Sequence, residues 1–148
     1  MTNIFSFTQI QRQKILEEAD LSDSRYWKLL KGRSLEVALV SILSRYFHTK
    51  LALSPRSHDR GIDLWGKKSD GRLILIQCKG WGRPVGEPPV REFAGACQIY
   101  RGDKSMWFIA PNGFTPRAEK LSNALSIMPI EGDLLAGMCK AALDYPEI

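Results

Sequence analysis

GIDLWGKKSDGRLILIQCKG, residues Gly61 to Gly80, is the stretch on which the fold of this chain turns. GIDLWG has the length and composition of a strand, KKSDG of a tight turn and RLILIQCK of an antiparallel return. Side chains alternate along a strand, so Ile74, Ile76 and Cys78 share one face while Leu73, Leu75, Gln77 and Lys79 share the other. The second face changes from leucine to an amide and an amine at its C-terminal end. A hairpin turning at Ser69-Asp70-Gly71 sets Asp63 nearly opposite positions 77 to 79. Residues directly across two strands come within about 5 Å at Cβ. Two readings fit this meeting. Asp63 and Lys79 form a plain cross-strand salt bridge with Gln77 solvated at a sheet edge, or the three groups form a site where burial and charge partners tune ionisation.

Beyond the hairpin, GWGRPVGEPP has too many Gly and Pro to continue a strand and is read as a loop. Pro89 then begins a helix with Val90, Phe93, Ala94 and Cys97 inward. SMWFIAP is an apolar run of strand length. GFTPRAEKLSNAL carries a helix start, with Thr115 as N-cap and Pro116 at the first helical position. SIMPI is a short last strand, and GDLLAGMCKAALD a closing helix capped by Asp133. Before the hairpin, Ser34 to Phe47 repeats Leu35, Leu39, Ile42, Leu43 and Tyr46 at helical spacing, and LALSPRSHDRG is irregular with a short strand at its start. Thr8 to Ala19 and LSDSRYWKLLKG are two further helical candidates, the second ending at Gly32. The order predicts an α/β domain around a mixed sheet, an antiparallel hairpin followed by parallel strands joined by helical crossovers. Residues 1–31 are expected to be an N-terminal helical arm and residues 32–148 the main domain.

At 148 residues the chain has the size of one domain. No apolar run approaches the roughly 18 residues of a membrane span, and the first twenty residues lack the pattern of a secretory signal. Cys78, Cys97 and Cys139 are widely spaced and include no CxxC pair, so they read as small buried residues of a reducing compartment, the cytoplasm. The net charge of +5 is uneven: Arg25 to Arg91 holds 14 Lys/Arg against 5 Asp/Glu, and the remainder 7 against 11. A basic middle segment suits a polyanion such as DNA, and equally suits a solvated surface. His48 and His58 lack metal-ligand spacing and read as loop residues.

If Asp63, Gln77 and Lys79 do form a site, its chemistry suits a hard divalent metal. Mg2+ takes oxygen ligands and keeps several waters. Asp63 offers a carboxylate oxygen, Gln77 its amide oxygen and Cys78 its backbone carbonyl at the strand end. Lys79 would orient or help activate a water, or stabilise charge building on a phosphate. That set suits metal-assisted hydrolysis of a phosphodiester, with basic residues gripping the nucleic-acid backbone.

These residues resemble a known family. GIDLWG followed by LIQCKGW is similar to the catalytic core of the Mrr-like restriction endonucleases, within the PD-(D/E)xK nuclease superfamily, which show Gly-Ile-Asp and then Gln-x-Lys where many relatives have Glu-x-Lys. GRSLEVALVSIL, RPVGEPPVREFAGA, FIAPNGFTPRAEKLS and IEGDLLAGM resemble the segments that flank that core, so the likeness runs from about Gly32 to Met138. The resemblance implies a restriction-endonuclease-like fold, Asp63 as central metal ligand, Gln77 as a weaker second ligand, Lys79 as the catalytic lysine and Glu36 as an acid lining the site. Glu36 also sits in a helix first turn, where a carboxylate suits the helix dipole without any catalysis. Trp81 either stacks on a base or sugar or packs over its loop. Arg56, Arg60, Lys67, Lys68 and Arg83 are expected to surround the site, as phosphate contacts or as a solvated face. There are departures: SPRSHDRG before the core does not place Pro and Asp side by side, Ala110-Pro111-Asn112 replaces a threonine-rich stretch, and about thirty residues ahead of the core are too few for a separate DNA-binding domain.

The expectation is therefore a DNA endonuclease dependent on Mg2+, with Mn2+ as a substitute, acting on double-stranded DNA. One site cuts one strand, so duplex cleavage needs a homodimer or two visits. The alternatives are a structure-selective nuclease such as a Holliday junction resolvase, and a catalytically silent DNA-binding subunit of a larger assembly.

Overall fold

The computed structural model describes residues 20–54 and 61–144. Over them the chain runs α1 (Ser24–Leu29), α2 (Arg33–Phe47), β1 (Ala52–Leu53), β2 (Leu64–Lys67), β3 (Leu73–Cys78), α3 (Glu87–Cys97), β4 (Lys104–Ile109), α4 (Pro116–Ala124), β5 (Ile127–Ile130) and α5 (Gly132–Leu143). The helix expected over Thr8 to Ala19 lies outside the described residues, as do Arg56, His58 and Arg60.

The hairpin forms as its sequence predicts. β2 and β3 pair antiparallel, with Leu64 opposite Ile76 and Lys67 opposite Leu73. Gly71 adopts φ +92 at the turn, a conformation open to a residue without Cβ, and Asp70 accepts the Arg72 N–H. β3 pairs parallel with β4, and β4 with β5, through crossovers that contain α3 and α4. With β1 antiparallel to β2, the sheet order is β1-β2-β3-β4-β5. This is the mixed α/β sheet that the order of elements predicts.

Each face of the sheet carries its own core. Leu64, Ile74, Ile76 and Cys78 pack with Trp27, Leu35, Leu39 and Cys139 from α1, α2 and α5. Leu75, Phe108 and Ile127 pack with Val90, Phe93 and Ala118 from α3 and α4. β3 is covered on both sides, which explains its nearly continuous apolar run. The cysteines are buried free thiols, and burial pushes Cys97 and Cys139 up to about 12, so both stay neutral. Among the described residues no helix is long and apolar enough to cross a membrane.

Some boundaries differ from expectation. α1 stops at Leu29, and Gly32 (φ +55) starts α2 rather than ending α1. α3 begins at Glu87, so Pro88 and Pro89 both fall in its first turn, where a missing N–H leaves no bond unmade. The cap of α5 is Glu131, not Asp133: its carboxylate reaches forward to accept the N–H groups of Asp133 and Leu134. Thr115 caps α4 as its Thr-Pro start predicts, accepting the Ala118 N–H at 3.1 Å.

Candidate active site

The approach to Asp63 is fixed by its neighbours. Gly61 takes φ +97, which an L side chain rarely tolerates, and Ile62 is buried in the second core. Asp63 then donates its N–H to Ile76 O at 2.8 Å and accepts the Ser54 N–H at 2.8 Å. Asp63 is only 3% exposed, and its Oδ2 accepts the Cys78 N–H at 2.8 Å. The hairpin register puts Gln77 beside it. The neighbours of the Gln77 amide are both acceptors, so its nitrogen faces them, donating to Gly61 O at 2.6 Å and to Asp63 Oδ2 at 3.0 Å.

β3 leads out of the sheet at the same point. The Lys79 N–H donates to Ile109 O at 2.9 Å, one step past the strand. Gly80 then passes under the link between α1 and α2. A Cβ there would lie 2.5 Å from Leu30 O and 2.8 Å from Lys31 Cα, so only glycine fits. This approach brings the α1–α2 link to the end of β3, and a cavity of about 450 Å³ opens between them. Glu36, Asp63, Cys78 and Lys79 are on its wall, together with Lys31, Trp81 and Arg83.

Glu36 reaches the cavity from the first turn of α2 and is 9% exposed. Its Oε1 lies 3.7 Å from Arg33 Nη1, and Arg33 also donates to Ser54 O. It is at once a helix-start acid and part of the cavity wall. Among the described residues no ion pair joins Asp63 to Lys79. Lys79 Nζ instead lies 5.7 Å from the centre of the Trp81 ring, and the Arg83 guanidinium 4.8 Å from it. Trp81 is half-buried against the second core. Its loop is pinned by Asn112, whose amide donates to Trp81 O at 2.6 Å, and by a bridge between Val85 and Phe114.

Asp63, Lys79, Cys78 and Glu36, singled out from the sequence, are thus gathered at one cavity with Arg83 and Trp81. Gln77 touches Asp63 and is not on the cavity wall. Lys67 and Lys68 do not surround the site. Lys67 pairs with Leu73 at the opposite end of the hairpin, roughly 13 Å from Asp63 at about 3.3 Å per residue. Lys31 had no signal in the sequence, and Asn112 stood out there only as part of the Ala110-Pro111-Asn112 departure, because contacts between distant segments place both.

The acids present suit a hard cation. Among the described residues no group of three His, Cys, Asp or Glu side chains converges; the acids on the cavity wall are Glu36 and Asp63, with Cys78 beside them. Few protein oxygens around an open cavity are what Mg2+ takes when it keeps most of its waters.

Comparison with known proteins bears on the family and the fold. Residues 28–139 match the family model of the Mrr catalytic domain, described as a restriction endonuclease. No curated protein matches the chain. Among solved structures, the chain is similar to a repair endonuclease from Pyrococcus abyssi, at 18% identity over 69% of this chain and 47% of that one, with a TM-score of 0.50. It is similar to EndoMS in complex with double-stranded DNA, at 18% identity over 69% of this chain and 45% of that one, with a TM-score of 0.50. It is also similar to the MspJI restriction endonuclease in complex with a 27-mer oligonucleotide, at 15% identity over 98% of this chain and 37% of that one, with a TM-score of 0.53. Identities this low bear on the fold alone, and the chain spans less than half the length of each of these proteins. The family match covers α2, the whole hairpin and the cavity, and on that match the chain belongs to the Mrr family of restriction endonuclease catalytic domains.

Proposed function

We propose that this chain is a metal-dependent DNA endonuclease whose active site is the cavity at the end of β3. The observation that carries the reading is the meeting of Asp63, Glu36 and Lys79 on one cavity wall. Asp63 and Glu36, with the Cys78 carbonyl, would hold Mg2+ or Mn2+. When bound, such an ion supplies Lewis-acid stabilisation of a phosphoryl oxygen and makes water a stronger nucleophile at neutral pH. Lys79 holds an ammonium in the same cavity, where it offsets negative charge building on a phosphate. Lys31 and Arg83 add cations on the cavity wall for the phosphate backbone. Trp81 holds the ammonium of Lys79 and the guanidinium of Arg83 near its ring, and its own position is fixed by packing and by Asn112.

Double-stranded DNA is the substrate this reading takes, in a cytoplasmic setting, with the second strand cut by a second copy or a second visit. The duplex bound in the EndoMS complex supports that choice, as a property of a protein of similar fold. Incubating the protein with supercoiled plasmid tests the reading. Nicked circles are expected with Mg2+ and with Mn2+, and none with EDTA. Equal nicking in EDTA, or an intact plasmid under both metals, would contradict it.

A further inference from the structure

Gln77 is 5% exposed, and its amide sits between two acceptors, Gly61 O at 2.6 Å and Asp63 Oδ2 at 3.0 Å. Both acceptors engage its nitrogen, which has two hydrogens to give. The same Oδ2 takes the Cys78 N–H at 2.8 Å. One oxygen of Asp63 is therefore held by two donors of β3, one from the main chain and one from a side chain. Gly61, two residues before Asp63, is tied to β3 by the other hydrogen of the same amide.

We propose that Gln77 is a positioning residue that clamps the Asp63 carboxylate and the Gly61 main chain, and that it does not ligate the cation. The proposal rests on Asp63 being the metal ligand. It gives a reason for an amide at position 77 rather than an acid. A glutamate in the same place would set an oxygen 2.6 Å from a carbonyl oxygen and 3.0 Å from a carboxylate oxygen. Both contacts turn from attractive to repulsive in a buried setting, where electrostatic interactions are strong. A residue that ligates through its oxygen gains from a carboxylate; one that clamps through its nitrogen loses. A carboxylate held in place by its neighbours binds a cation with less reordering than a loose one.

The two roles predict opposite orders for Gln77→Glu and Gln77→Ala. Calorimetry with Mn2+ alone, and thermal melts without metal, read them out independently of cleavage. The clamp predicts that Gln77→Glu binds Mn2+ about tenfold or more weakly than the wild type, and melts lower than both the wild type and Gln77→Ala. Tighter Mn2+ binding by Gln77→Glu than by the wild type would overturn the clamp. Should Gln77→Glu fail to fold, a crystal of the wild-type chain with Mn2+ decides. An anomalous peak at Asp63 with the Gln77 nitrogen still on Gly61 O upholds the clamp, and one within about 2.1 Å of Gln77 Oε1 overturns it. Mn2+ binding undiminished by Asp63→Ala would remove the site reading itself, and the clamp with it, an outcome distinct from the other two.

Discussion

Glu36 stands where two demands on a carboxylate coincide: the start of α2 and the wall of the cavity. Glu36→Gln separates them, because it keeps the shape and removes the charge. As a helix-start acid alone, Glu36 would contribute about 0.3–1 kcal/mol to stability and nothing to chemistry. With Glu36 as a metal-holding group, Glu36→Gln is expected to weaken Mn2+ binding about tenfold or more and to slow plasmid nicking at least as much. Nicking at the wild-type rate would leave only the helix-dipole role. At this scale the sequence is legible where geometry is local. Asp63 meets Gln77 because the strand period and the turn fix which residues oppose one another. Lys67 and Lys68 are misread for the converse reason, since a few residues along an extended strand is a long way in space. Lys31 enters the site only because Gly80 lets β3 pass under the α1–α2 link, and no pattern near Lys31 announces it.

Among the elements, α1 has the least intrinsic support and a large role. Six residues are too few to hold a helix in water without tertiary contacts. Its anchor is Trp27, fully buried in the first core with its indole N–H donating to Leu21 O at 2.9 Å. Trp27→Ala is expected to cost about 3–5 kcal/mol, read as a lower urea midpoint, the usual loss for an emptied aromatic site. Because the link after α1 lies on Gly80, nicking should fall at temperatures below the melt. A stability change under about 1 kcal/mol would show that α1 is peripheral. The order of elements is plain in the sequence because start signals such as Thr115-Pro116 and alternating strands act over a few residues. The burial of α1 is not, since one apolar face of a short helix does not say what covers it. Caps also escape where a longer side chain does the work, as Glu131 does for α5.

At the scale of the molecule, the hairpin brings Asp63 and Lys79, and α2 brings Glu36, to one end of β3, while Lys31, Arg33 and Arg83 add positive charge around them. The basic excess of the chain lies between Arg25 and Arg91, 14 Lys/Arg against 5 Asp/Glu, a segment that builds this end of the fold and the far end of the hairpin as well. Salt-sensitive DNA binding should therefore rest on many residues, and cleavage on few. The most direct test compares plasmid nicking and duplex binding, on the same preparations, for the wild type, Asp63→Ala and Lys79→Ala. No nicked product is expected from either variant while the wild type converts the plasmid, with binding at low salt largely kept by both. Nicking by either purified variant at the wild-type rate would contradict it.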